Sequence, residues 1–398
     1  SAGVNVLIDK FLPRRDWLNQ LKWRGSWSVV GNPIPNTLFA RQSYDFSNGT
    51  ISTRPPLFDD PQPETTTSFE TGLDVWMFEN KFNFDLTYYN STLRNQFLYV
   101  TTANGESKPV NTGKIRNYGL EFQASYRWNI NKDWRWQTGF NIAWNDNRIL
   151  ETYKTESGAP YEVQMGPNAF KIKYVEGGRY GDIYVNSFAR DENGHIKIND
   201  AGNYENAVPV MASGKYETKV GNMTSPVTLG WNNTFTWKNF TLYFLIDGRI
   251  GGKVMSLTEA DLDLYGLSER SAQDRLNGER VMQNGKEYIL KPLPDGSGNK
   301  VSVENYYTTI GALPMEDHVY NATSLRMRDI SLSYDMPNLF GKNQGMTAQF
   351  SVKNAFFIYK DSPVDPDISV SAANGYSGID CYSLPTTRSF ALTLKFNF

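Results

Sequence analysis

The chain has 398 residues, and its 40 basic and 42 acidic residues give a formal net charge of −2. No basic block stands out, so the charge pattern gives no indication of nucleic-acid binding. The single cysteine, Cys381, has no partner for an internal disulfide, which excludes a small disulfide-stabilised scaffold. No stretch approaches the roughly 18 consecutive apolar residues of a membrane helix, so a helical membrane protein is also excluded.

Aromatic residues are unusually frequent, with 10 Trp, 23 Tyr and 23 Phe making up 14% of the chain. The apolar fraction is only 39%, and the mean hydropathy is −0.51. This combination fits a sheet protein with long polar loops. It also fits an outer-membrane barrel, in which only alternate strand residues meet lipid and aromatic girdles mark both interfaces.

Alternation of apolar and polar residues is the main structural signal. In residues 118–128, for example, Tyr118, Leu120 and Phe122 share one face, while Glu121 and Gln123 share the other. Such runs predict about ten strands, near 17–30, 68–78, 81–99, 114–130, 134–148, 225–238, 240–252, 324–336, 346–358 and 388–398, with 4–8 as the tail of another. Many are about 10 residues or longer, the length that a tilted strand needs to cross a bilayer.

The connections between these strands alternate between short and long. Short turns are predicted at 79–80, 131–133 and 238–239, with a looser one at 337–345. Long polar segments fill 31–67, 100–113, 149–223, 253–323 and 359–387. This parity predicts periplasmic turns on one side and extracellular loops on the other. Within the loops we expect a hairpin around 183–189, and one helix over 256–277 that begins with a capping box at Ser256 and Glu259.

Several segments resemble the SusC/RagA family of TonB-dependent outer-membrane transporters from Bacteroidetes. The matching segments, in chain order, are LKWRGSWSVVGN at 21–32, PETTTSFETGLD at 63–74 with FNFDLTYYN at 82–90, GKIRNYGLE at 113–121, ATSLRMRDISLSY at 322–334 and the closing strand 388–398. Each segment alone is a weak signal. Their order and their spread over most of the chain make the resemblance specific.

The resemblance implies an all-β fold, a transmembrane antiparallel barrel of 22 strands with an amino-terminal plug. Residues 1–398 would then be the carboxy-terminal part of the barrel, about ten strands, and we expect the plug and the earlier strands to be absent from this chain. The implied location is the bacterial outer membrane, among lipid and lipopolysaccharide.

The function implied by the resemblance is TonB-dependent active import of a bulky nutrient, an oligosaccharide or a peptide. The implied partners are a SusD-like surface lipoprotein and the TonB complex, which would act through the missing plug region. A passive porin or an outer-membrane adhesin barrel is the alternative, and a soluble all-β binding or hydrolase module is a third reading. No enzymatic activity, cofactor or metal is expected.

Candidate functional residues lie in the long loops and at the chain end. Tyr306, Tyr307, Tyr376 and Tyr382 could stack against a ligand, because sugar rings pack their C–H faces on aromatic rings. The terminal Phe398, on an alternating strand, resembles the assembly signal of outer-membrane barrels. The polar faces of the strands should line the lumen or contact the plug; they include Asn83, Asp85, Glu121, Gln123 and Arg127.

Three other groups are interpreted as structural. The segment 191–200 resembles a calcium loop, but position 12 of that template falls on Gly202, so a polar turn is favoured. His195 and His318 are expected to be solvated loop residues. The carboxylate pairs Asp59–Asp60, Asp365 with Asp367, and Glu316–Asp317 could suggest glycosidase chemistry, but acidic pairs are common in loops and catalysis is not expected.

Overall fold

One antiparallel sheet of eleven strands dominates the computed structural model, which describes all residues except 34–42, 48–49, 55–61, 102–106, 155–157, 160, 166–169, 214–215, 313–315, 342–343, 371–377 and 398. Each strand pairs with the next one along the chain. The strands are β1 (Ala2–Leu7), β2 (Leu18–Asn32), β3 (Glu64–Met77), β4 (Phe82–Thr101), β5 (Ser107–Asn129), β6 (Trp134–Glu151), β7 (Val227–Trp237), β8 (Phe240–Ile250), β9 (Ser324–Gly341), β10 (Gln344–Lys360) and β11 (Ser389–Asn397). The ten predicted strands and the tail near 4–8 are confirmed.

The register of the sheet separates apolar and polar side chains onto opposite faces. One row across β2 to β7 reads Trp23, Leu73, Leu86, Phe122, Ile142 and Leu229. The adjacent row, on the opposite face, reads Lys22, Asp74, Asp85, Gln123 and Asn141. Because side chains alternate along a strand, a one-residue slip would exchange the two faces. The alternation of apolar and polar residues predicted for single strands is therefore in register across these strands of the sheet.

The apolar face is exposed and is covered by no other part of the described chain. Large apolar side chains on it remain open along the whole sheet, among them Trp27, Phe69, Leu120, Trp231, Leu332, Phe350 and Leu392. The buried hydrophobic clusters lie elsewhere, in the long connections. A continuous apolar face of this size on a sheet is typical of contact with lipid rather than with water.

Aromatic rings line the edge of the apolar face next to the short turns. Trp134 stacks on its cross-strand partner Trp237, with ring centroids 5.6 Å apart. Trp237 contacts Phe240 at 6.0 Å, and Phe240 contacts Tyr334 at 4.5 Å. Rings at this position are typical of the aromatic belt at a membrane–water interface. Trp and Tyr side chains favour this interface because their rings are apolar and their N–H or O–H groups are polar.

The connections keep the predicted parity. Short ones link β3 to β4, β5 to β6, β7 to β8 and β9 to β10, with a somewhat longer one from β1 to β2. The long segment predicted over 100–113 is wrong, because β4 continues to Thr101 and β5 begins at Ser107. The remaining connections are long. Phe78, Glu79 and Asn80 all have positive φ in the tight turn between β3 and β4. The looser turn predicted over 337–345 is shorter than expected, because β9 continues to Gly341 and β10 begins at Gln344. The sequence predicts that this strand ends at residue 336, whereas the strand continues through Pro337.

The long connections contain small sheets that lie outside the eleven-stranded sheet. Four strands, Val163–Met165, Lys171–Tyr174, Asp182–Val185 and Thr218–Asn222, form one of them, so the hairpin expected around 183–189 is part of a larger unit. The other small strands are Ser43–Ser47 with Thr50–Arg54, Ile198–Asn199 with Val208–Pro209, Lys253–Ser256 with Val319–Asn321 and Ile379–Asp380, and Glu279–Gln283 with Lys286–Pro292 and Lys300–Ser302.

Three α-helices also lie in the connection between β8 and β9: α1 (Leu257–Leu264), α2 (Glu269–Asn277) and α3 (Val303–Ala312). The predicted single helix over 256–277 is wrong in one respect, because it breaks at 265–268. Ser256 caps α1 as expected by accepting the N–H of Glu259, and Ser268 caps α2 by accepting the N–H of Ser271. No helix in the described part of the chain is long and apolar enough to span a membrane.

Two hydrophobic clusters join the long connections into one outer assembly. The first contains Phe188 and Ile196 from the β6–β7 connection together with Val301, Tyr306 and Ile310 from the β8–β9 connection. The second joins the outer end of β6 to three connections; its members are Ile149, Phe170, Ile172, Tyr174, Ile183, Val185, Met255 and Ile379. Most of the buried apolar side chains among the described residues therefore lie within the long connections.

Candidate functional site

The polar face of the sheet carries ion pairs rather than isolated charges over its central part. Lys22 Nζ lies 2.6 Å from Asp74 Oδ2 on neighbouring strands. Arg24 bonds both carboxylate oxygens of Asp85, one of them at 2.8 Å, and also contacts Thr87. Asp85 was predicted to face the lumen, and it does lie on the polar face with Gln123. Bidentate arginine–carboxylate geometry of this kind fixes side-chain positions as well as charge.

A second polar cluster joins the outer end of β8 and β9 to the connection between β10 and β11. It consists of Asp247, Arg249, Arg326, Arg328, Asp365 and Asp367, and we call it the loop clamp. Arg326 Nη2 lies 2.6 Å from Asp365 Oδ1, and Arg328 Nη2 lies 2.7 Å from Asp367 Oδ2. Arg249 Nη2 lies 3.2 Å from Asp367 Oδ1. These contacts hold the last long loop against the polar face of the sheet.

The loop clamp is partly buried, and this sets its electrostatics. The side chain of Arg326 is only 3% exposed. Burial acts to raise the pKa of Asp365, but hydrogen bonds from Thr386 and Arg326 outweigh it and hold that pKa below its usual value. Asp365 is therefore a charged partner of Arg326, and Asp367 Oδ2 lies 2.7 Å from Arg328 Nη2. Their carboxylates are engaged in holding the loop, which gives this acidic pair a structural explanation.

A cavity of about 410 Å³ lies beside the loop clamp. Arg326 and Asp365 line it, together with Phe357, Lys360 and Asp380. The guanidinium of Arg326 sits 3.9 Å from the ring centroid of Phe357, and Lys360 Nζ lies 5.6 Å from the same centroid. The cavity thus combines an aromatic ring, cations and carboxylates at the outer end of the polar face.

Among the candidate ligand residues that the structure describes, Tyr382 is the most accessible, with 64% of its surface exposed. Its hydroxyl donates to Asp261 in α1, and its backbone N–H donates to Thr258 Oγ1 at 2.8 Å. The hydrogen bond to Asp261 raises the pKa of Tyr382 to about 12. The loop held by the clamp therefore presents an aromatic face on the outer assembly.

Tyr306 and Tyr307 occupy a different environment, because each is only 3% exposed. The Tyr306 hydroxyl donates to Asp317 at 2.8 Å, and the Tyr307 hydroxyl donates to Asp274 at 2.7 Å. Their rings meet edge to face, 5.3 Å apart, within the first loop cluster. This packing explains why α3 carries them, while stacking on a ligand stays a prediction. Tyr376 and Phe398 lie outside the described residues.

The expectation for His318 is wrong. Its side chain is fully buried, and Nε2 lies 2.8 Å from Asp263 Oδ2. Asp263 is also fully buried and accepts hydrogen bonds from Ser268 and Arg270. Burial acts to raise the pKa of Asp263, but the bonds from His318, Arg270 and Ser268 outweigh it and lower that pKa. The sequence could not show this pairing, because 55 residues separate the two partners.

The remaining polar groups have local explanations. Asp191 Oδ1 accepts the N–H groups of Asn193 and His195, both at 2.9 Å, as a polar turn does. Glu316 Oε1 lies 3.8 Å from Arg190. Asp59 and Asp60 are outside the described residues. Within the described part of the chain, no group of three or more His, Cys, Asp or Glu side chains could hold a metal ion.

The residues of the loop clamp were not recognised as a group from the sequence. Arg326 and Arg328 stand two positions apart on a strand, which places them on one face, and Asp365 and Asp367 repeat the same spacing in the loop. Asp247 and Arg249 have the same spacing. Three charged pairs with matched spacing are the sequence pattern that indicates this cluster.

Comparison with known proteins gives consistent results. TonB-dependent receptor P3 of Formosa agariphila is 23% identical over 439 residues, which cover all of this chain and 41% of the relative. TonB-dependent receptor SusC of Bacteroides thetaiotaomicron is 24% identical over 430 residues, covering all of this chain and 39% of the relative. The chain thus spans about two fifths of the length of these relatives.

A solved structure of the RagAB peptide transporter superposes with a TM-score of 0.72 at 17% identity, covering all of this chain and 43% of that chain. This likeness concerns the fold. The model of the family described as "TonB dependent receptor-like, beta-barrel" matches residues 2–247. The chain therefore belongs to the TonB-dependent receptor-like β-barrel family, and its sheet is part of the wall of an outer-membrane barrel.

Proposed function

We propose that this chain forms part of the barrel of an active importer, which takes up a bulky nutrient across the bacterial outer membrane with energy supplied through TonB. Membership of the TonB-dependent receptor-like family supports the energy source. The resemblance of the sequence to SusC/RagA transporters supports the import of a large solute. On this proposal the protein transports its ligand and does not transform it.

One observation carries the proposal. The sheet exposes its apolar face, while the loop clamp holds a long outer loop on the polar face. A sheet that served only as a membrane anchor would not need a long loop held against its polar face. A wall that encloses a solvated lumen needs a polar inner face, and a selective entrance needs ordered loops above it. Both features are present.

The partners follow from the same proposal. A SusD-like surface lipoprotein would cover the outer assembly and capture the ligand, and a plug domain inside the barrel would connect to TonB. The relatives named SusC and the RagAB peptide transporter support this arrangement through likeness alone. Further strands would complete the wall, because β1 and β11 each have one neighbour in the described sheet.

The ligand would be an oligosaccharide or a peptide that meets the outer assembly before it enters the lumen. Tyr382 is the described residue best placed to stack on it, because its ring is exposed and its hydroxyl is anchored on α1. Tyr376 precedes it within the segment 359–387 of the sequence. Phe398, which follows Asn397 in the sequence, is proposed as the signal for barrel assembly.

The test is mass spectrometry of ligand that co-purifies with the protein from native membranes. We expect an oligosaccharide or a peptide, and less of it with Tyr382→Ala than with Tyr265→Ala, a matched loss of an exposed tyrosine from the same assembly. A protein that is reproducibly empty and binds neither class contradicts import of a bulky nutrient. Uptake that continues at full rate without TonB would favour a passive porin.

A further inference from the structure

Five basic side chains lie together on the apolar side of the sheet, beyond the outer end of its apolar rows. We call this group the outer basic patch, and its members are Arg94, Lys114, Arg116, Arg148 and Arg179. The register places Arg94 opposite Lys114 on β4 and β5, and it places Arg116 opposite Arg148 on β5 and β6. Four of these cations are therefore neighbours on three adjacent strands.

Alternation along β5 assigns the patch to the lipid-facing side. Residues 114, 116, 118, 120 and 122 of this strand share one face. Leu120 and Phe122 belong to the apolar rows of that face, whereas Ile115, on the other face, packs against the second hydrophobic cluster. Arg116 and Lys114 therefore continue the lipid-facing surface outward, above its apolar part.

An aromatic pair marks the level at which the apolar rows give way to the patch. Tyr118 meets Trp144 edge to face, with ring centroids 5.7 Å apart. The Tyr118 hydroxyl donates to Asp146 at 2.8 Å, and the Arg116 guanidinium lies 4.9 Å from the Tyr118 ring centroid. Aromatic rings that lie between apolar and charged neighbours are typical of a membrane–water interface. The patch thus begins at the outer interface.

The length of β5 agrees with this level. Trp128 lies at the short-turn end of the strand, ten positions after Tyr118. A strand rises about 3.3–3.4 Å per residue and tilts by about 35–45° in such barrels. The two rings are therefore about 23–28 Å apart along the membrane normal, close to the apolar band of about 25 Å that these barrels show. Arg116 lies just beyond this band, at the level of the outer headgroups.

Two carboxylates within the patch each neutralise one of its cations. Arg179 Nε lies 2.7 Å from Asp146 Oδ1, and the Asp146 side chain is only 6% exposed. Lys114 Nζ lies 2.8 Å from Glu151 Oε1. Both acids are therefore engaged inside the patch.

The other three cations have no close carboxylate of their own. Arg148 Nε lies 3.9 Å from Asp146 Oδ2, at the limit of an ion pair. Arg116 Nε donates to the neutral side chain of Asn90 at 3.0 Å. Arg94 is exposed, and no carboxylate that the structure describes lies within 4.0 Å of its charged nitrogens. The patch therefore presents an excess of positive charge to its surroundings.

The position and the charge of the patch together define the ligand that it fits. The ligand must carry negative charge beside hydrocarbon, because the patch borders the lipid-facing rows. A phosphate group on a lipid headgroup meets both requirements, and guanidinium groups bind phosphate in a planar, two-pronged geometry. A dissolved anion would gain nothing from the apolar rows below the patch.

We propose that the outer basic patch binds the phosphate groups of lipopolysaccharide in the outer leaflet. The acyl chains of the lipid pack on the apolar rows, and Tyr118 and Trp144 lie between those chains and the phosphates. The inference depends on which side of the sheet faces lipid, and it holds whether or not the protein imports a bulky nutrient. The bound lipid also contacts the outer assembly, because Arg179 belongs to the connection between β6 and β7.

Native mass spectrometry of the full-length protein in neutral detergent tests this site. The probe is lipid A, the phosphorylated anchor of lipopolysaccharide, and dephosphorylated lipid A is the matched ligand. The patch variant combines Arg94→Gln, Arg116→Gln and Arg148→Gln. The control variant removes three cations from the polar face near the short turns, and it combines Arg127→Gln, Lys132→Gln and Arg135→Gln.

We expect the natural protein and the control variant to bind lipid A equally. Each cation near a charged headgroup contributes about fivefold to the affinity, so the patch variant should bind on the order of 100-fold more weakly. Dephosphorylated lipid A should bind the natural protein with a similar loss. Equal affinities of the patch and control variants, or equal binding of the two lipids, would overturn the proposal.

A second variant keeps the test valid if the glutamine substitutions impair folding. Arg94→Lys, Arg116→Lys and Arg148→Lys together preserve the charge, so this protein should retain most of its affinity for lipid A and should still discriminate against the dephosphorylated lipid. Inorganic phosphate at the concentration of the lipid should not displace lipid A. Displacement by phosphate alone, or a lysine variant that binds both lipids equally, would contradict a lipid phosphate site.

Discussion

Glycines on the polar face let large side chains lie flat across the sheet. A Cβ built on Gly119 would come within 2.5 Å of both the Tyr89 hydroxyl and the Trp144 carbonyl oxygen. Tyr89 in turn accepts a hydrogen bond from the Asn145 side chain at 2.6 Å. The tyrosine thus covers the glycine and bonds to the neighbouring strand.

We expect Gly119→Ala to displace Tyr89 and to destabilise the sheet by about 1–3 kcal/mol, the usual cost of overpacking. Gly31→Ala is the matched control, since its Cβ would meet only one atom, a carbonyl oxygen at 3.9 Å. Thermal unfolding in detergent, followed by circular dichroism, measures both variants. Equal melting temperatures for the two would show that Tyr89 adapts without cost.

The buried pair of His318 and Asp263 predicts a pH dependence of the outer assembly. The folded pKa of Asp263 is below its usual value, so the charged form stabilises the fold above the unfolded pKa of about 3.9. That stabilisation is lost as pH falls through the lower, folded pKa. Pepsin cleavage within 256–277 should therefore increase below about pH 4.

Asp263→Asn isolates this contribution, because every other carboxyl group is unchanged. Pepsin should cleave the variant within 256–277 already at pH 5. The extent of this cleavage should depend less on pH in the variant than in the natural protein. Identical pH profiles for the two proteins would contradict the role assigned to Asp263.

At the residue scale, the sequence predicted which side chains share a face, but not which of them meet. The alternation near Asp85 and Gln123 was sufficient to assign a polar face. Arg24 and Asp85, however, lie 61 residues apart and meet only through strand pairing. His318 was misjudged for the same reason: its partner lies on a helix whose packing has no local signature.

At the element scale, the loop clamp is the feature that connects the barrel wall with the outer assembly. Asp365 bonds Arg326 and Thr386, and Asp367 bonds Arg328. Removing one partner of a buried pair leaves an uncompensated charge, which costs about 3–5 kcal/mol. Here Asp367 also lies 3.3 Å from Arg326, so the loss should be partly offset.

We expect Asp365→Asn to loosen the loop between β10 and β11 without unfolding the sheet. A spin label on the exposed Cys381 should report greater mobility in this variant. Asp335→Asn is the control, because Asp335 is an aspartate of β9 with an exposed hydrogen bond to Thr347. Unchanged label mobility with Asp365→Asn would show that the clamp does not hold the loop.

Most elements of the sheet could be predicted, because long alternating runs and short turns are encoded locally. The outer assembly could not. Its strands are only two to seven residues long, and its clusters join connections that are distant in sequence. The helix breaks between α1 and α2 because Ser268 caps the start of α2. The helical periodicity of the sequence continues across this position, so the sequence predicts one helix.

At the scale of the whole molecule, the two faces of the sheet should differ sharply in their tolerance of charge. Phe122 and Gln123 are neighbours in the middle of β5 and point to opposite faces. A lysine on the lipid face near the bilayer midplane costs about 2–4 kcal/mol. On the polar face, a lysine at 123 would stand opposite Asp85.

We therefore expect Phe122→Lys to reduce the amount of folded protein in the outer membrane and to lower its melting temperature. Gln123→Lys should leave both nearly unchanged. Quantitative blotting of outer-membrane fractions and thermal unfolding of the extracted protein give the comparison. A larger loss from Gln123→Lys than from Phe122→Lys would contradict the assignment of the faces.

The central claim, that the apolar face meets lipid and the polar face meets water, is tested most directly by a spin-label scan of residues 118–128 in reconstituted bilayers. Collision with oxygen, which concentrates in lipid, should peak at the positions of Leu120, Phe122 and Ala124. Collision with a water-soluble nickel complex should peak at Glu121 and Gln123. The opposite phase, or no alternation between the two reagents, would contradict the account.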